Sequence, residues 1–105
     1  SGGAGVAAAL NMGVLHEGSD GAGSIRIPSS FCGVFGIQPT FGWLPTDART
    51  PLRYMAHRGP LTLTVAESAL FLNAVAGPSP DALYGDCPRP VPDWTEAARG
   101  RLAGP

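Results

Sequence analysis

The sequence contains no lysine; each of its seven basic residues is an arginine. A phosphate-binding P-loop, which needs Lys-Ser or Lys-Thr after its glycines, is therefore excluded. Charge is scarce, at 14% of residues with a net charge of −1, so there is no electrostatic case for nucleic acid and none is expected as a partner. Two cysteines, Cys32 and Cys87, are too few for a disulfide framework and too far apart for a metal pair. His16 and His57 add no metal-ligand spacing to them, so no metal is expected. No apolar run approaches the length of a bilayer span and no signal peptide is visible, so no membrane segment is expected and the expected location is cytoplasmic.

What is present is glycine, proline and small apolar side chains. Ten of the fifteen glycines fall within the first 42 residues, and six of the eleven prolines follow Gly77. Residues 1 to 45 therefore read as glycine-rich and compact, 46 to 77 as mixed, and 78 to 105 as proline-rich and poorly packed. With 44% apolar residues and so little charge, the chain expects burial beyond what a small free-standing domain offers. It reads as a slice of something larger, and the opening Ser1-Gly2-Gly3 without a methionine agrees.

In chain order, Gly3 to Met12 has helix formers at its centre and Gly13 as a natural stop. Its Gly3-Ala4-Gly5-Val6-Ala7-Ala8 string matches a degenerate dinucleotide fingerprint, but that motif needs a preceding strand and none is visible. Val14 to Glu17 reads as a short extended segment, Pro28 as a turn or helix start, and Val34 to Ile37 as a second short strand. From Phe41 to Thr62, with prolines at 45, 51 and 60, the expectation is mostly loop. Thr64 to Gly77 is the clearest element, a helix opened by the capping box Thr64-Val65-Ala66-Glu67 and closed by Gly77-Pro78. Its apolar residues run almost all round, which predicts burial on most sides. A weak helix around Trp94 is expected within residues 93 to 102. The fold class is α/β.

Chemistry concentrates in Gly18 to Gly36, GSDGAGSIRIPSSFCGVFG. The run Gly21-Ala22-Gly23 before Ser24 can turn successive amides into one anion-binding concavity. A hydroxyl beside such donors is what acyl transfer needs: a nucleophile next to the developing oxyanion. The local string Gly23-Ser24-Ile25-Arg26-Ile27 is not a GxSxG elbow, and with His16 and His57 far apart in sequence a Ser-His-Asp triad could be assembled only by the fold. Asp20 and Arg26 flank the turn. They can pair across it and hold its amides in place, or Arg26 can bind a substrate carboxylate.

Gly18-Ser-Asp-Gly-Ala-Gly-Ser24-Ile-Arg-Ile-Pro, followed by Phe31-Cys-Gly-Val-Phe-Gly-Ile-Gln-Pro-Thr40, resembles the amidase signature family, whose pattern is G-T-D-x-G-G-S-I-R-x-P and then F-C-G-x-x-G-x-K-P-T. Ser1-Gly2-Gly3 looks like the tail of that family's G-G-S-S-G-G segment, and Gly59-Pro60-Leu61-Thr62-Leu63-Thr64-Val65 is similar to its continuation. The likeness covers residues 1 to about 80, with residues 81 to 105 a proline-rich continuation of the same domain.

The resemblance implies a hydrolase of amide bonds that uses a Ser-cisSer-Lys triad and no cofactor. It implies Ser24 as the acyl nucleophile and the amides of Gly21, Ala22, Gly23 and Ser24 as the oxyanion hole, with Ser1, Ser19, Asp20 and Arg26 in support. The cis-serine would precede Ser1, and the family's base lysine lies further upstream, so the 105 residues alone are expected to be inactive. Ser19 stands for the commoner Thr. Ala22 stands for Gly, a change that could restrict φ, and Gln38 stands for a Lys that is not the catalytic one. The fold implied is a mixed sheet core covered by helices. The implied partner is a small-molecule amide substrate, with a homodimer of the full-length parent. Two rival readings are the A subunit of a glutamyl- or aspartyl-tRNA amidotransferase and a non-catalytic amidase-like module. Ile27, where the amidotransferase branch usually has Gln, favours a stand-alone amidase.

Overall fold

In a computed structural model, residues 1–46, 55–80, 87 and 90–100 are described. The elements are α1 (Gly2–Ala9), β1 (His16–Asp20), α2 (Arg26–Cys32), β2 (Phe35–Gly36), β3 (His57–Thr62), α3 (Val65–Val75) and α4 (Trp94–Arg99). The strands form one antiparallel sheet in the order β1-β3-β2, with Gly18 opposite Gly59 and Gly36 opposite Leu61. The α/β class holds; the mixed sheet implied by resemblance is, among the described residues, three antiparallel strands.

α1 stops earlier than expected. Asn11 already takes the left-handed conformation that turns the chain, with φ 54°, and Gly13 follows with φ 109°. The Met12 N–H reaches the Ala7 carbonyl at 2.9 Å and the Asn11 N–H reaches Ala8 at 3.0 Å, a Schellman closure that satisfies the last carbonyls. α1 lies close on α2 because Gly5 has no side chain: a Cβ there would sit 3.0 Å from Pro28 Cβ and 3.4 Å from Cys32 Sγ.

β3 overturns the expectation of a loop from Phe41 to Thr62. Within that span residues 47–54 lie outside the described residues, but 57–62 form the central strand despite Pro60. The physical reason is where Pro60 faces. Its carbonyl accepts from the Ile37 N–H at 3.4 Å, so its nitrogen, on the same side of the strand, also faces β2. Having no N–H, Pro60 cannot return that bond, and β2 ends at Gly36 where the ladder loses its donor. The defect is confined to one end of a two-residue strand, while pairing with β1 runs unbroken from His16 to Asp20. β1 also runs further than Val14 to Glu17 suggested: Gly18, Ser19 and Asp20 are strand, not loop.

α3 has its capping box. The Glu67 N–H donates to Thr64 Oγ1 at 3.2 Å and the Thr64 N–H donates to Glu67 Oε2 at 2.9 Å. Its burial is one-sided, against expectation: Ser68, Ala69, Phe71 and Leu72 are buried, whereas Val65, Leu70 and Val75 are exposed. Apolar periodicity shows which residues could be covered, and the described chain supplies a partner for one face only. That face meets a small core of Leu44, Phe71 and Leu72 flanked by Ile37, Trp43 and Trp94. Trp43 and Trp94 meet edge to face with ring centroids 4.7 Å apart, which docks α4 on this core. α4 starts at Asp93, whose carboxylate accepts from the Thr95 and Glu96 amides and from Asn73 Nδ2. These bonds, Asn73 first among them, hold the Asp93 carboxyl down at about 2.

Candidate active site

The site is the passage from the end of β1 to the start of α2. Asp20 is the last residue of β1 and is fully buried. A buried carboxylate needs charge-assisted partners, and Asp20 has five. Its Oδ1 accepts from the Gly23 N–H at 2.6 Å and from Arg26 Nη2 at 3.0 Å. Its Oδ2 accepts from the Ile25 N–H at 3.1 Å, the Arg26 N–H at 3.2 Å and Arg26 Nε at 3.0 Å. The Arg26 side chain, followed by these backbone donors, holds the Asp20 carboxyl well below the usual carboxylate range. Of the two uses left open for Arg26, the geometry shows the bidentate pairing across the turn.

This latch wraps the backbone around one side chain. Gly23 takes φ 107° to bring its nitrogen over Asp20, a conformation that a side chain would strain. The Ile27 N–H then reaches the Gly23 carbonyl at 2.7 Å, so the helical turn starts at Gly23 and Ser24 stands at the entry to α2. Pro28 follows within the first turn, where its missing N–H breaks no helical bond.

The latch also sorts the amides. Gly23, expected among four oxyanion donors, gives its N–H to Asp20, so that amide is committed to holding the turn. The amides of Gly21, Ala22 and Ser24 have no protein acceptor among the described residues. Ala22 does not take a positive φ, so its methyl imposes no backbone strain at this position.

Ser24 is half-buried, and its Oγ touches the amino-terminal nitrogen of Ser1. Ser1 is seated by β1. Its Oγ accepts from the Ser19 N–H at 3.0 Å and donates to the Ser19 carbonyl at 3.2 Å. The Ser19 backbone, not its hydroxyl, therefore makes this contact. Gly18 provides the room, since a Cβ there would fall 2.7 Å from Ser1 Oγ and 2.8 Å from Leu61 Cδ1. Ser1, Ser19, Asp20, Arg26 and Ser24, dispersed over 26 positions, thus meet around one turn.

His57 stands across the sheet from Asp20, and its Nδ1 lies 3.0 Å from Gln38 Nε2 and 2.9 Å from the Met55 carbonyl. Among the described residues the His16 ring bonds only its own turn, through the Gly13 carbonyl at 3.2 Å. Sequence reasoning gave Gln38 no part in the site, yet it extends Nε2 to the Asp20 carbonyl at 3.4 Å. Eighteen residues separate the two, and no local spacing signals the contact. Among the described residues no group of three or more His, Cys, Asp or Glu could hold a metal. A cleft of about 150 Å³ between β2, α3 and α4 is lined by Phe35, Val65, Leu72 and Trp94 and contains no titratable group. No helix among the described residues is long and apolar enough to cross a membrane.

Comparison with known proteins gives this geometry a family. The Amidase family model matches residues 1–105. An acylamidase from Rhodococcus erythropolis is 46% identical over 103 residues, covering 96% of this chain and 21% of the relative. The A subunit of a glutamyl-tRNA(Gln) amidotransferase from Acidobacterium capsulatum is 43% identical over 106 residues, covering 99% and 22%. The solved structure of 6-aminohexanoate cyclic dimer hydrolase superposes with a TM-score of 0.83 at 31% identity, covering 95% of this chain and 21% of that one. The chain thus spans about a fifth of the length of the relatives it matches. It belongs to the amidase signature family.

Proposed function

We propose that the full-length protein hydrolyses a carboxamide through an acyl-enzyme on Ser24. The observation that carries this reading is the division of labour in the turn. Asp20 takes the Gly23, Ile25 and Arg26 amides, which leaves those of Gly21, Ala22 and Ser24 open beside the Ser24 hydroxyl. Ser24 Oγ attacks the carbonyl carbon while its proton passes to a base. The C=O π pair becomes an oxyanion held by the Gly21, Ala22 and Ser24 amides. Collapse breaks the C–N bond, and the proton leaves with the amine. Water then attacks the Ser24 ester and releases the acid.

The chain has no lysine, so the base that the family resemblance implies lies outside these 105 residues. In this reading the relaying serine is the residue that precedes Ser1. Residues 1 to 80 carry the nucleophile and the oxyanion turn, and 81 to 105 continue the same domain. The substrate is a small amide, the location cytoplasmic, and the parent is read as a homodimer.

The likeness to an amidotransferase A subunit supports a second reading, in which ammonia released at the same serine serves a tRNA-linked transfer. Purified full-length protein given simple acyl amides, with no other protein present, separates the two. The expected result is steady release of amine or ammonia. Release only when a partner protein is supplied would favour the amidotransferase reading. The isolated 105-residue chain is expected to release none.

A further inference from the structure

We infer that Gln38 is a positioning residue for oxyanion stabilisation, because its side-chain amide anchors the Asp20 carbonyl and thereby aims the Gly21 N–H. The inference rests on the proposed role of Ser24 and adds a part to it. Gln38 Nε2 lies 3.4 Å from the Asp20 carbonyl and 3.0 Å from His57 Nδ1. A primary amide has two N–H bonds to give, and one goes to the Asp20 carbonyl. His57 Nδ1 takes the other only in the tautomer that leaves it no proton for the Met55 carbonyl, 2.9 Å away, so the contact with Asp20 alone carries the geometry. His57 meets Phe41 edge to face at 5.7 Å.

The consequence follows from peptide planarity. In the trans Asp20–Gly21 peptide the carbonyl and the N–H point in opposite directions from one rigid plane. Holding the Asp20 carbonyl toward Gln38 therefore fixes the Gly21 N–H away from it, on the other side of the turn. Gly21 is the first residue after β1. The Asp20 carbonyl stands at the last pair of the β1–β3 ladder, opposite His57, so Gln38 adds a further donor where the strand pairing ends. A glycine flanking the turn can rotate its amide at little steric cost unless that end is held. Gln38 is itself fixed from behind, since the Ile37 N–H bonds to the Pro60 carbonyl and Pro39 follows it in sequence.

The test uses the full-length protein, with an alkylboronic acid as probe. Such an acid adds to a serine hydroxyl as a tetrahedral anion and places its oxygen where the oxyanion forms. Gln38→Leu keeps the bulk and removes both N–H groups, whereas Gln38→Lys restores a donor. We expect Gln38→Leu to weaken boronate inhibition and to lower kcat, each by about tenfold, less than the loss of a whole oxyanion donor. KM and the urea midpoint should stay unchanged, and Gln38→Lys should recover most of both losses. Should the leucine variant not fold, Gln38→Met, of similar length, uncharged and with no side-chain N–H, carries the same comparison. Unchanged boronate affinity and kcat in the variant without donors overturns the inference, as does an equal loss in Gln38→Lys. Ser24→Ala measured alongside tells the failures apart: if it keeps turnover, the underlying reading falls, and if it alone loses turnover, only the role of Gln38 does.

Discussion

Ser24→Ala in the full-length protein is expected to lower amide turnover by about four orders of magnitude or more, as removal of a serine nucleophile does elsewhere. The methyl group keeps the rotamer space of the hydroxymethyl and leaves the Asp20 latch untouched, so the fold and its unfolding midpoint are retained. The latch explains why. Gly23, Ile25 and Arg26 reach Asp20 through backbone groups that the substitution does not touch. Substrate binding is expected to survive for the same reason, since the Gly21 and Ala22 amides, with no acceptor among the described residues, are unchanged. Steady-state kinetics and a urea titration on the same preparation check both halves: turnover lost, midpoint kept.

Asp20→Asn produces the second large effect, and it acts on stability as well as on rate. The asparagine fits the space but keeps one acceptor oxygen. Standing where Oδ2 was, it still serves the Ile25 and Arg26 N–H groups and Arg26 Nε, while its NH2 faces the Gly23 N–H and Arg26 Nη2, which lose their acceptor. Breaking a buried, hydrogen-bonded ion pair from one side costs several kcal/mol; with Arg26 reaching solvent, about 3 kcal/mol is expected here. Turnover is expected to fall at least about a hundredfold, because this turn aims the amides proposed to stabilise the oxyanion. The pH dependence has a definite sign. The Asp20 carboxyl is held below its ordinary value, so its contribution is fully present above about pH 4. It is lost as the pH falls from there through the lowered folded value. The stability difference between wild type and Asp20→Asn therefore stays constant from neutrality down to about pH 4 and narrows below it. Urea titrations at pH 7, 5 and 3 measure this, and a gap that widened in acid would contradict it.

What could be read from the sequence was what is encoded locally. The capping box at Thr64 and Glu67 is a contact between residues three apart, and it forms as written. The glycines around Ser24 state their own requirement, since Gly23 takes the positive φ that the turn needs. Long-range geometry was out of reach. Pro60 argued against a strand, because whether a missing N–H matters depends on which neighbour it faces, and β2 lies more than twenty residues earlier. The Gly23 amide could not be told from its neighbours until the Asp20 carboxylate was seen to take it. The all-round apolar pattern of α3 promised burial that only further chain could supply, and Leu70 stands 54% exposed.

The central claim is that Ser24 carries the acyl group. The most direct measurement treats the full-length protein with a fluorophosphonate, digests it, and locates the added mass by tandem mass spectrometry. The account predicts one stoichiometric adduct on Ser24, loss of amide turnover in proportion to labelling, and no labelling of Ser24→Ala. An adduct on another residue that tracks inactivation, or full turnover with Ser24 labelled, would contradict it.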